Sequence, residues 1–198
     1  MSRLVESLQL LNGSLANVEY HNMRMRYSRR SLFQHDENID LKKEITVPRE
    51  FRSGLFKCRV VYNENIDTVE FIPYEIKQTC SLKIVHGDID YSYKFEDRSE
   101  IKDLFAKREN CDDILILKNG LITDTSSANI VLLRDGRWYT PSTPLLKGTK
   151  RQKFLDEGII FEEEIAVCDI KHYSKASLIN AMLDIGDVTV EAENILLE

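Results

Sequence analysis

Apolar residues along this chain come in short runs, and their spacing shifts between two-residue alternation and helical repeats. Leu4 to Leu11 predicts a strand with Asn12-Gly13 as its turn, and Tyr20 to Leu32 predicts a helix with Met23, Tyr27 and Arg30 on related faces. Leu55 to Tyr62 and Thr68 to Pro73 alternate as two strands about Asn63-Glu64-Asn65, a hairpin pattern, and Ser81 to Val85 predicts one more strand. Further on, Ile101, Leu104 and Phe105 give Ser99 to Arg108 helical spacing. The apolar strand from Asp113 to Lys118 then meets Asn119-Gly120, the strongest short turn signal. Thr149 to Asp156 predicts a helix stopped at Gly158, Ile159 to Ile165 a strand, Ile170 to Tyr173 a short turn or helix, and Ser177 to Asn180 a strand that breaks at Ala181. Many strands with few short helices define an α+β protein. Pro and Gly are too sparse for a long linker, so His86 to Asp90 is the expected hinge between a small α+β lobe over residues 1–88 and a larger lobe over 89–198.

Between the apolar strands, Thr123 to Asn129 places six hydrogen-bonding side chains in seven positions. Turn formation alone does not require them. A chain of 198 residues, 42% apolar and 30% charged, makes one compact unit or two small lobes, and a net charge of -6 argues against a sequence-independent nucleic-acid binder. No stretch approaches the roughly 20 apolar residues that cross a bilayer, so the cytoplasm is the expected location, with no membrane partner. Cys58, Cys80, Cys111 and Cys168 are scattered and read as reduced packing residues, and the four histidines share no spacing that suggests a metal site or a triad. Arg24, Arg26, Arg29 and Arg30 cluster in one short segment, which suits a solvated helix face or, less often, a phosphate or carboxylate ligand.

Extended through Asp135-Gly136, Trp138-Tyr139-Thr140-Pro141 and Leu145-Leu146-Lys147-Gly148-Thr149-Lys150-Arg151, the polar segment resembles the class IV aminotransferases, the pyridoxal-phosphate (PLP) enzymes of fold type IV. The family pattern Thr-Glu-Gly-Ser-x-x-Asn, an Asp-Gly turn, Thr-Pro and Leu-x-Gly-x-x-Arg appears here in order, with Asp124 and Thr125 in place of Glu-Gly. The resemblance covers most of the chain and is dense from Lys94 to Met182. It implies a small α+β lobe, a larger pseudo-barrel lobe, PLP as cofactor and a homodimer. It also implies a small amino substrate, because members include branched-chain and D-amino-acid aminotransferases and aminodeoxychorismate lyase.

Roles follow residue by residue from that resemblance. Lys94 matches the Schiff-base lysine and Asp124 the carboxylate facing the ring nitrogen; read alone, they are a lysine ending a strand and the cap of a Thr-Asp-Thr turn. Arg98 resembles the lysine-x-x-x-arginine arrangement of the lyase branch and is expected at the ring hydroxyl, or in a salt bridge with Asp97 or Glu100. Backbone amides of Gly148-Thr149-Lys150 and Asn180-Ala181-Met182 match the phosphate-binding turns, and Arg24 in His21-Asn22-Met23-Arg24 matches a phosphate-contacting arginine. Arg59 is the candidate for a substrate carboxylate, or a solvated edge residue. The implied activity is aminotransfer, or elimination of the 4-amino-4-deoxychorismate type. Relatives carry a strand-turn segment before the Phe-Glu that Val5-Glu6 resembles, and this chain starts later. The competing expectation is therefore a non-catalytic cofactor-binding or interaction relative that has lost the substrate segment.

Overall fold

The computed structural model describes residues 3–197 and divides the chain into two units. The first runs to Glu75 and takes back Tyr93–Asp97; the second takes Ile76–Ser92 and resumes at Arg98. This division differs from the expected lobes of 1–88 and 89–198. Segment 76–88 joins the second unit because its strand pairs there. Tyr93–Asp97 joins the first because the Val5 amide donates to the Lys94 carbonyl at 2.9 Å and the Glu96 amide to the Arg3 carbonyl at 2.9 Å.

In the first unit the order is β1 (Leu4–Leu11), β2 (Ser14–Leu15), α1 (Val18–Phe33), α2 (Leu41–Glu44), β3 (Leu55–Tyr62) and β4 (Ile66–Pro73). The strands form a four-stranded antiparallel sheet in the order β2-β1-β3-β4. Asn12 and Gly13 both take the left-handed conformation, φ 49° and 81°, which the tight β1–β2 turn demands. Leu4, Leu8, Leu10, Cys58, Val60 and Tyr62 form the core with Met25 and Leu41. The helix buries Val18, His21, Met25, Ser28 and Arg29. Met23 and Tyr27 lie on its exposed side, so the buried stripe is largely polar and escapes an apolar periodicity. Arg29 explains the polarity. Its Nε donates to the Glu64 carbonyl at 2.8 Å and its Nη1 to the Glu37 carbonyl at 2.5 Å, so this buried member of the arginine cluster staples two connections and is not part of a solvated face.

The second unit comprises β5 (Leu82–His86), α3 (Ser99–Phe105), β6 (Asp113–Lys118), β7 (Leu121–Thr125), β8 (Asn129–Arg134), β9 (Arg137–Pro141), α4 (Thr149–Asp156), β10 (Ile160–Glu163), β11 (Lys175–Ile179), β12 (Thr189–Glu191) and β13 (Ile195–Leu196). They build a nine-stranded mixed sheet, ordered β10-β9-β8-β7-β6-β5-β13, with β11 on β8 and β12 on β11. Strand β8 is the hub. It pairs with β11 along its length, with β9 at its end, and with β7 at the single register Asp124↔Asn129. Leu115, Ile122, Ile130, Leu132, Ala176 and Val190 lie in the unit's largest core. No helix among the described residues is long and apolar enough to cross a membrane.

Candidate functional site

The Asp124↔Asn129 register makes one constellation of the polar block. Paired residues on adjacent strands project to the same face. Asn129 Nδ2 donates to Asp124 Oδ1 at 2.7 Å and to the Leu146 carbonyl at 2.9 Å, while the Leu146 amide donates to Asp124 Oδ2 at 2.9 Å. Both carboxylate oxygens are thus fixed in a buried position. Burial pushes the Asp124 carboxyl up to about 6, against the lowering pull of the Leu146 amide, Asn129 and the field of Arg151. No cationic side chain among the described residues pairs with it.

Two of the six polar side chains of the block serve local structure. Thr123 Oγ1 donates to the Ile116 carbonyl at 2.8 Å, and Thr125 Oγ1 accepts the Ala128 amide at 3.1 Å and closes the turn. Arg98 Nη2 donates to the Ser126 carbonyl. Buried Asp113, its carboxyl raised by desolvation, accepts hydrogen bonds from Ser126. Asn180 Nδ2 reaches the Ser127 carbonyl at 3.3 Å. The second unit therefore gathers Arg98, Asp124 and Asn180 around one turn.

Gly148 precedes α4, and its missing side chain has a steric cause. A Cβ there would lie 2.0 Å from Asn129 Oδ1, although the φ of -67° suits any residue. Thr149, Lys150 and Arg151 in the first turn are all buried. The first-turn amides of a helix have no intrahelical acceptor, and this first turn carries no acidic side chain. Lys150 Nζ meets Asp184 Oδ1 at 2.5 Å. The second turn is shaped by Asn180, whose Oδ1 accepts the amides of Met182 at 2.8 Å and Leu183 at 3.1 Å, leaving half-buried Ala181 at its corner. A cavity of about 260 Å³ elsewhere in the unit, lined by Ile89, Tyr91, Lys118, Thr143 and Leu145 among others, includes none of the predicted site residues.

The first unit holds the other predicted residues and a cluster that sequence reasoning missed. Glu6, fully buried, accepts from Arg24 Nε at 2.9 Å and Arg24 Nη2 at 2.5 Å, and its Oε2 lies 2.6 Å from His21 Nδ1. Burial opposes the charge, but Arg24 and His21 together hold the Glu6 carboxyl down at about 2. Desolvation depresses the His21 pKa, so the neutral ring donates from Nδ1 to the ionised Glu6, and the charges of Arg24 and Lys94 press the same way. Lys94 is half-buried, on a segment bridged to β1 by Leu4↔Phe95. The sequence signal for Glu6 is its parity: period two puts it in the buried row of Leu4, Leu8 and Leu10. Arg59 is engaged by Glu70 at 2.7 Å and Glu96 at 2.6 Å.

Known proteins resemble this chain in sequence and in fold. The model of the amino-transferase class IV family matches residues 100–190. An uncharacterized protein of Haemophilus influenzae is 37% identical over 185 residues, which are 92% of this chain and 98% of that one. The crystal structure of a "putative 4-amino-4-deoxychorismate lyase" from Haemophilus somnus superposes with a TM-score of 0.86 at 34% identity, covering 92% of this chain and 97% of that one. The PLP-bound form of a hypothetical aminotransferase from Mycobacterium tuberculosis shares the fold at 15% identity, with a TM-score of 0.77 over 100% of this chain and 84% of that one. The chain belongs to the class IV aminotransferase family, and its α+β fold is that of the fold type IV PLP enzymes.

Proposed function

We propose that the protein binds pyridoxal 5'-phosphate and acts on a small amino substrate, as an aminotransferase or as a lyase of the 4-amino-4-deoxychorismate type. The observation that carries this reading is Asp124, a buried carboxylate clamped at both oxygens and paired with no cation of the described residues. A carboxylate so placed suits a pyridine nitrogen that has to keep its proton, and its two oxygens offer about four lone-pair sites, more than Asn129 and the Leu145 and Leu146 amides fill. The remaining groups fit the cofactor too. A buried, basic helix start suits a phosphate dianion, and in the Asn180 turn the candidate donor narrows to Ala181, because the Asn180, Met182 and Leu183 amides donate within the turn.

When bound, the cofactor supplies a ring that takes up negative charge from the carbon beside the substrate amine. Asp124 holds the proton at the ring nitrogen, and Asn129 and the Leu146 amide hold Asp124. Lys94 would hold the cofactor covalently through Nζ, and its amine, once the substrate amine has displaced it, would be free to carry the proton from the substrate carbon. Thr149, Lys150 and Ala181 bind the phosphate, while Asn180 shapes the turn that carries Ala181 and Gly148 keeps Asn129 seated. Arg24, oriented by two hydrogen bonds to Glu6, is assigned to the same phosphate. Arg98 acts through the Ser126 carbonyl it holds, on the side assigned to the ring hydroxyl. Arg59 receives no substrate role, since two carboxylates of the same unit take its guanidinium. A homodimer working in the cytoplasm is the form the resemblance implies.

The test is the visible absorbance of purified protein with added PLP, before and after borohydride, with the modified peptide located by mass spectrometry. The expected result is a band fixed on Lys94 and lost in Lys94→Ala. Absence of a band, or label spread over surface lysines, contradicts the reading and favours the non-catalytic relative.

A further inference from the structure

A single ion pair ties together the two turns assigned to phosphate in the second unit. Lys150 rises from the first turn of α4 with its side chain only 6% exposed, and its partner Asp184 is 55% exposed. Asp184 belongs to the turn shaped by Asn180, and its own amide donates to Asp187 Oδ2 at 2.8 Å. This placement runs against helix electrostatics. The macrodipole favours anions at a helix start, yet the first turn of α4 has no acidic residue and buries both Lys150 and Arg151. Arg151 donates through Nη2 to the Pro141 carbonyl at 2.8 Å and to Glu162 at 2.6 Å. Its Nε is buried and has no hydrogen-bond partner among the described residues.

The two ends of the Lys150–Asp184 pair are unequal. An exposed carboxylate released to water regains its hydration, whereas a buried ammonium left without an anion bears a large desolvation cost. The pair is therefore built to exchange one anion for another. Resting on the phosphate assignment above, we propose that the Lys150 side chain is itself a ligand for a phosphomonoester dianion, and that Asp184 is the competing carboxylate which the phosphate displaces. The pair then sets how strongly the protein prefers a phosphorylated ligand over its unphosphorylated form. Asp184 holds that preference below its maximum, which eases release of the phosphate, and Lys150 supplies a charge that backbone amides alone lack.

Fluorescence titration of the full chain with pyridoxine 5'-phosphate and with pyridoxine tests this apart from Lys94, since neither probe carries an aldehyde. Asp184→Asn is expected to tighten pyridoxine 5'-phosphate several-fold, and Lys150→Met to weaken it roughly tenfold, the size of one charge-assisted hydrogen bond, with pyridoxine unchanged in both. Lys150→Met empties one end of a buried pair, so the double variant Lys150→Met/Asp184→Asn serves as its folding control. Asp184→Asn leaves the buried Lys150 ammonium without its anion, so the same double variant, with urea denaturation of each, controls for its folding too. An unchanged preference for the phosphate ester in Asp184→Asn overturns the proposal, as does a wild type that binds both probes equally. A wild type that shows the preference, with the expected response of the variants, but yields no borohydride-stable adduct at Lys94 upholds the ion-pair proposal and removes the Lys94 assignment.

Discussion

Among the carboxylates the two units bury, one from each is held in a state opposite to the other. Glu6 in the first is fully buried yet kept down at about 2, while Asp124 in the second is 6% exposed and pushed up to about 6. Burial raises both, so burial does not decide the outcome. Contact with a cation does: Glu6 is gripped by Arg24 through two nitrogens, and Asp124 is met by an amide and a carboxamide, which are neutral donors. A carboxylate with its own guanidinium is a finished structural element, whereas one with only neutral donors is poised to receive a positive charge. That contrast ties Asp124, and not Glu6, to the proposed ring nitrogen.

The sharpest way to break the comparison is to remove the cation from the first unit. Arg24→Met strips the guanidinium from Glu6, leaving it buried against His21 and Tyr62, and is expected to cost about 3–5 kcal/mol of stability, the range for stripping one partner from a buried pair. Urea denaturation at pH 7 measures it, and a loss below about 1 kcal/mol would mean that Glu6 is not held as described.

Next in size is the response to pH, which has opposite signs in the two units. Asp124 has a folded pKa above its ordinary value of 3.8, so its burial costs least at low pH, and stability on the order of 3 kcal/mol is lost as pH rises through about 6. His21 has a depressed pKa, so the stability that comes from keeping it neutral is present above 6.5 and is lost as pH falls below that value. Glu6 behaves likewise further down, its contribution being lost between 4.5 and about 2. Hydrogen exchange from pH 7 to 5, corrected for intrinsic rates, is expected to show β7 amides gaining protection while β1 amides lose it. The same sign in both strands would end the comparison.

Much of this layout is legible in the sequence. The bounds of β1, β3 and α4 match the expected spans, because each has a clear alternation or a clear stop, as at Gly158 with φ 68°. Asp124 and Asn129 stand out as polar residues in an apolar hairpin. Non-local facts are not legible. That β5 pairs in parallel with β6, 31 positions away at Leu82↔Asp113, has no local signature, so the spacing alone groups residues 76–88 with the first lobe while the strand pairing groups them with the second unit. Glu6 and His21 look like surface residues one at a time, and only the fold brings β1 and α1 together around them. Arg59 looks available for a ligand until Glu70 and Glu96 are found on it.

A smaller effect separates the clamp from the carboxylate it holds. Asn129→Ala removes the donor to Asp124 Oδ1 and is expected to cost about 1–3 kcal/mol and to raise the Asp124 carboxyl above 6. The pH at which β7 protection changes is the readout, and an unmoved midpoint would show that Asn129 does not support the charge.

The most direct test is a carbon-13 NMR titration of the two carboxyl groups in the protein, with and without PLP. The Asp124 midpoint is predicted near 6 in the protein alone and, with PLP, below the ordinary carboxylate value of about 4, as a pyridinium becomes its counter-charge, with Glu6 unmoved. An Asp124 midpoint that stays near 6 with PLP present would contradict the account.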